Sequence, residues 1–154
     1  MKRYLYFFLI TLGTICCSNP INDKSISINT ATRPYDDLQK LIVFNGDTNA
    51  YEELSIQYFD HDHQDEFLIY ALVMANKYDY AQAYFDVFYC LTLPFYGTGA
   101  QIDEKTAHIA IVYLIEAADK GHHQAMRIVM DLSKYDGKVT DKQKLEKYIA
   151  QFAK

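Results

Sequence analysis

The chain has 154 residues, half of them hydrophobic, which is enough for one domain with a buried core and excludes disorder throughout. Fourteen tyrosines and nine phenylalanines stand beside no tryptophan, a balance that suits helix interfaces where a ring packs and a hydroxyl reaches water. Acidic side chains outnumber basic ones 20 to 15, and that excess argues against nucleic acid or anionic lipid as the ligand of the folded part.

Residues 1–17 read as an export signal. Lys2 and Arg3 form a basic start, Tyr4 to Leu12 an apolar stretch, and Cys16, Cys17 and Ser18 a small-residue end. The stretch is too short to span a bilayer comfortably. Two cysteines directly after it resemble the modification site of a bacterial lipoprotein, which implies acylation of Cys17 or Cys16 and an envelope protein tethered to a membrane. The usual site has leucine three residues before the cysteine and glycine or alanine immediately before it. Here Thr14, Ile15 and Cys16 precede Cys17, so cleavage after Ser18 and a retained anchor stand as alternatives. Residues 18–33 are polar and without helical periodicity up to Thr32, as a flexible tether would be. Loss of Lys2 and Arg3 with the leader leaves 13 basic against 20 acidic side chains, a balance that fits a basic protein partner.

Residues 34–154 show helical spacing of apolar positions and no sustained alternation, so the fold class is all-α. The spacing predicts helices near Pro34 to Phe44, Thr48 to Phe59, Asp65 to Lys77, Tyr80 to Leu93, Glu104 to Lys120, His122 to Tyr135 and Asp141 to Ala153. Asp65 with Glu66, Asp103 with Glu104, and Asp141 place carboxylates at helix starts, where free N–H groups favour negative charge. Thr140 and Gln143 have capping-box spacing. Pro94, Gly97 and Gly99 mark the clearest internal loop, and Asp136-Gly137 a second break. Cys90, the one cysteine outside the leader, lies in the apolar run Tyr84 to Leu93 and reads as a small buried hydrophobe with no disulfide partner in the domain.

The breaks repeat. Gly46 is followed by Ala50, Leu54 and Tyr58, and Gly121 by Ala125, Val129 and Ser133. Between them Asp79 is followed by Ala83, Val87 and Leu91, with aspartate in place of glycine. Asp79 lies 33 residues after Gly46, and Gly121 lies 42 residues after Asp79, the longer interval holding the glycine loop. A small residue repeated at a helix start is explained by close approach of a neighbouring helix, so Gly46, Ala50, Ala83, Ala117, Ala118, Gly121 and Ala125 are the expected packing positions.

Gly97, Gly99, Asp103, Tyr113-Leu114, Glu116-Ala117-Ala118, Gly121 and Ala125 resemble the Sel-one-like repeat, a relative of the tetratricopeptide repeat. Tyr135, Gly137, Val139, Asp141, Lys144-Leu145 and Tyr148-Ile149 resemble a second copy. The pattern departs from that family in having no tryptophan, Asp103 about one turn early, and no glycine loop in the first unit. The resemblance implies a short right-handed α-solenoid of about three antiparallel helix pairs that works through its surface.

Chemistry-bearing clusters are few. Asp60-His61-Asp62-His63-Gln64-Asp65 alternates carboxylates and imidazoles, yet lacks the glycine that a twelve-residue calcium loop needs at its sharp turn, so it reads as a solvated turn with metal binding through His61 and His63 as the lesser reading. His122 and His123 are adjacent, cannot share a helix face, and carry no expected function. Neither a phosphate loop nor a nucleophile elbow is present, so no catalytic residue and no cofactor are expected. Tyr78, Tyr80, Phe95 and Tyr96 are the expected lining of a partner-binding groove, with Glu52 and Glu53 as the acidic contact. The expected role is that of a non-enzymatic envelope adaptor or scaffold that binds another protein, and neither nucleic acid nor a small-molecule substrate. An immunity protein that neutralises a secreted toxin is the alternative.

Overall fold

Apolar positions at helical spacing give seven α-helices and no strand among the described residues: α1 (Tyr35–Lys40), α2 (Thr48–Asp60), α3 (Gln64–Tyr78), α4 (Ala81–Thr92), α5 (Glu104–Asp119), α6 (His123–Leu132) and α7 (Asp141–Ile149). The structure is a computed structural model that describes residues 33–60, 64–135 and 140–152. The leader with Cys16 and Cys17, the tether as far as Thr32, His61 and His63, and Gly137 with Val139 lie outside the described residues. Helix α1 continues as a π-helical turn, Leu41–Asn45, and 3-10 turns follow α4 and α7. No helix of the described residues is long and apolar enough to cross a membrane.

The helix starts carry the predicted chemistry. The Asp103 carboxylate accepts from the N–H groups of Lys105 (3.0 Å) and Thr106 (3.1 Å) and so caps α5. At α7, the Thr140 hydroxyl accepts from the Gln143 N–H (3.3 Å), and the Thr140 N–H donates to the Gln143 side chain (3.2 Å), completing the capping box.

The three aligned breaks share one backbone device. Gly46, Asp79 and Gly121 adopt φ of 66°, 58° and 86°, the left-handed conformation that ends a helix. After α5 the Gly121 N–H donates to Ala118 O and the His122 N–H to Ala117 O, both at 2.9 Å, which is the Schellman arrangement. The other two breaks are one residue wider, with the Asp47 N–H reaching Leu41 O (3.3 Å) and the Tyr80 N–H reaching Met74 O (3.1 Å). Four residues beyond each break comes Ala50, Ala83 or Ala125, and all three are fully buried.

The glycines at these breaks are required for different reasons. A Cβ on Gly46 would overlap the ring of Tyr78, whose hydroxyl donates to Val43 O (2.9 Å), so close packing and φ both select glycine there. Gly121 departs from the packing expectation: it is exposed and a Cβ would meet nothing within 4 Å, so its φ alone accounts for it. Ala117 is fully buried, while Ala118 sits half-buried at the edge of the core.

Two clusters make up the core, and α4 is the wall between them. Leu38, Ile42, Tyr51, Leu54, Phe67, Met74 and Val87 gather the first four helices. Phe85, Phe88, Ile102, Leu114, Ile128 and Leu145 gather α4 to α7. Tyr84 and Leu91 of α4 pack against both. Side chains buried as Phe88 and Leu114 are each stabilise the fold by about 1.5–3 kcal/mol, so helix α4, buried on two sides, anchors the whole array.

Candidate functional site

Three helices present residues to one opening, two of them at helical spacing. Tyr51, Glu52, Ser55 and Phe59 come from α2, Gln82, Phe85, Asp86 and Tyr89 from α4, and Gln124 from the first turn of α6; together they line a cleft of 450 Å³. Its walls are aromatic. The rings of Phe59 and Tyr89 meet edge to face at 5.6 Å, and Tyr80 stands edge-on to Tyr51 at 5.7 Å.

Asp86 is the unusual member, a carboxylate only 6% exposed. Its Oδ2 accepts from the Tyr51 hydroxyl (2.7 Å) and its Oδ1 from the Gln82 amide nitrogen (2.8 Å). Burial pushes the Asp86 carboxyl up to about 6, with the nearby Glu52 charge adding to the rise, while the two hydrogen bonds act in the opposite direction. The Tyr51 phenol is driven far above its ordinary range by burial first and by the Asp86 charge second. The Tyr80 hydroxyl donates to Glu52 (2.7 Å), and burial together with that carboxylate pushes Tyr80 up to about 12.

A directed chain of hydrogen bonds runs from α6 to this carboxylate. The Ala125 N–H can only donate, so His122 Nδ1, 3.2 Å away, accepts and caps the helix. The proton then resides on Nε2, which faces Gln82 Oε1 at 2.9 Å, and this orients the Gln82 amide nitrogen toward Asp86. The imidazole stacks on Phe85 with ring centres 4.4 Å apart, and burial lowers its pKa below the usual histidine value, with the His123 neighbour adding to the effect. A neutral His122 is the form this chain of bonds requires.

The potential nucleophiles nearby are engaged. Ser55 donates to Glu52 O of its own helix (2.8 Å), and burial pushes the Cys90 thiol up to about 12. What the cleft presents instead is negative charge, Asp86 at its floor and Glu52 at its rim, among aromatic side chains, an arrangement that attracts cations.

The expected partner-binding residues occupy different places. Glu52 lines the cleft and Tyr80 braces it from the side. Tyr78 covers Gly46, and Glu53 is held by Arg33, whose Nε and backbone N–H donate to it at 2.9 and 3.0 Å. Phe95 lines a separate hollow of 210 Å³ with Ile102, Glu146 and Ile149. Tyr96 packs on the second core cluster, where burial pushes its phenol up to about 12. Asp86 and Gln82 are not among the residues expected at a site, and His122 was expected to carry no function. The available signal was an aspartate inside the apolar run Tyr84 to Leu93, a position where a charge must find partners.

Among the described residues no group of three or more histidines, cysteines or acidic residues is placed to hold a metal ion. Comparison with protein-family models, curated proteins and solved structures gives no match.

Proposed function

We propose that this chain is a non-enzymatic protein-binding module of the Sel-one-like, solenoid type, carried on a lipid-anchored tether in a bacterial envelope and acting there as an adaptor or scaffold. The observation that carries the reading is the cleft that takes residues from α2, α4 and α6, each the first helix after one of the repeated left-handed breaks. Equivalent helices of successive repeats that contribute to one groove are the usual binding arrangement of helical solenoids. The pairs are then α2–α3, α4–α5 and α6–α7, with α1 as an N-terminal cap. Acidic balance and the cleft's carboxylates favour a partner with a basic segment.

The test is affinity purification of the tagged, membrane-borne chain with identification of what it retains, repeated with Gln124→Trp, which fills the cleft from its exposed edge, and Glu52→Lys. A partner retained by the wild type and lost from both folded variants supports the reading. Retention unaffected by either variant removes the cleft as the contact, and absence of any specific partner removes the module reading. If the retained protein is a toxin whose action the chain suppresses, the role is that of an immunity protein.

A further inference from the structure

Asp86 is a buried charge whose two hydrogen-bond partners, Tyr51 and Gln82, are both neutral. Among the described residues that line the cleft there is no lysine or arginine, and Glu52 adds a second carboxylate at the rim. Buried charges in proteins are as a rule paired with an opposite charge, because neutral hydrogen bonds recover only part of the lost hydration. The space beside Asp86 is bordered by Tyr51, Phe59, Phe85 and Tyr89, aromatic side chains whose apolar surface suits an aliphatic stem. The volume of 450 Å³ is in the range of single-ligand pockets, and larger than one side chain needs.

We propose that the cleft receives one basic side chain, lysine or arginine, of the bound partner, its cationic end directed to Asp86 and Glu52 and its stem lying along the aromatic wall. This rests on the protein-binding reading above and names what that partner presents. A neutral side chain would leave Asp86 without a counter-charge, and an acidic one would be repelled, so the site selects for charge. The groups facing Asp86 are Tyr51 and Glu52 of α2, Gln82 and Cys90 of its own helix, Tyr80 beside α4, and His122 through Gln82. Burial holds the Tyr80 phenol and the Cys90 thiol near 12, so both stay protonated at neutral and acidic pH.

Titration of the purified protein with short glycine-flanked peptides that carry a single central arginine, lysine or citrulline, followed by NMR shifts of the cleft aromatics, tests the assignment. At pH 7 the arginine and lysine peptides are expected to bind at least about tenfold more tightly than the citrulline peptide, and Asp86→Asn and Glu52→Gln to weaken the charged peptides by a similar factor. In the wild type the affinity should fall about tenfold between pH 7 and pH 5 as Asp86 takes up a proton, and in Asp86→Asn that fall should disappear. Equal binding of arginine and citrulline, no binding of any peptide, or a pH dependence retained by Asp86→Asn would overturn the proposal. If Asp86→Asn does not fold, Glu52→Gln and the wild-type pH profile decide. Peptide binding without any captured partner would leave the site standing and remove the module reading; a captured partner indifferent to Asp86, Glu52 and pH would do the reverse.

Discussion

The Tyr51 hydroxyl and the Asp86 carboxylate, 35 residues apart in the chain, share a 2.7 Å hydrogen bond that ties α2 to α4 beneath the cleft. Through Gln82 and His122 the same carboxylate is linked to the first turn of α6. Three helices are thereby joined by one chain of polar contacts. Tyr51 and Asp86 are buried, so loss of either one leaves the other's polar group shielded from water and short of a partner.

Tyr51→Phe keeps the ring and removes only the donor. Asp86 then loses one of its two hydrogen bonds while still buried, which should lower stability by about 1–3 kcal/mol at pH 7 in urea unfolding. The loss should shrink at pH 4, where a protonated Asp86 leaves no charge exposed to the defect. An equal loss at both pH values would show that the ionised carboxylate is not what the hydroxyl supports.

Asp86 also sets a pH dependence of known sign. Its folded pKa, about 6, lies above the ordinary value of 3.8, so the folded state holds the proton more strongly than the unfolded chain. Its contribution to stability is therefore fully present below pH 4 and is lost as pH rises through 6. The wild type should lose roughly 2–3 kcal/mol relative to Asp86→Asn across that window. Parallel unfolding free energies for the two proteins from pH 4 to 7 would contradict this.

Gly46 and Gly121 should respond differently to alanine. At Gly121 the only cost is a left-handed φ, about 1–2 kcal/mol. At Gly46 the new methyl also meets the Tyr78 ring, and crowding adds about 1–3 kcal/mol. Thermal unfolding of the two variants should rank Gly46→Ala as the more damaged, and Tyr78→Ala in the Gly46→Ala background should recover part of the difference.

His122→Ala removes the cap of α6, the Phe85 stack and the support of Gln82, and should cost about 1–2 kcal/mol. His122→Asn can restore the cap without reaching Gln82. Hydrogen exchange at the Ala125 amide should therefore accelerate in the alanine variant and return toward the wild-type rate in the asparagine variant.

Cys90 is a buried thiol with its pKa pushed up to about 12, so little thiolate exists at pH 7. Alkylation followed by mass spectrometry should leave Cys90 unmodified in the native protein and label it fully in denaturant. Rapid native labelling would mean that α4 opens locally.

All seven helices were legible in the order of the residues, because amphipathic spacing and end signals are local. Asp103 and the Thr140–Gln143 pair cap the helices they were expected to cap, and each of these bonds spans only two or three residues. The left-handed breaks at Gly46, Asp79 and Gly121 were visible as an aligned register for the same reason. The cleft was not. Its polar floor joins residues 35 and 40 positions apart, and nothing in the local pattern of α4 says that Asp86 faces a tyrosine or that Gln82 faces a histidine. The dense aromatic positions looked like one surface in sequence, yet packing sends Tyr78 to Gly46, Tyr80 to the cleft side and Phe95 to the far hollow. The sequence by itself determined the helices and where they end, since those depend on hydrogen bonds and propensities within a few residues. Only the tertiary structure decided which charge is buried and what surrounds it, since burial and pairing depend on how separate helices meet.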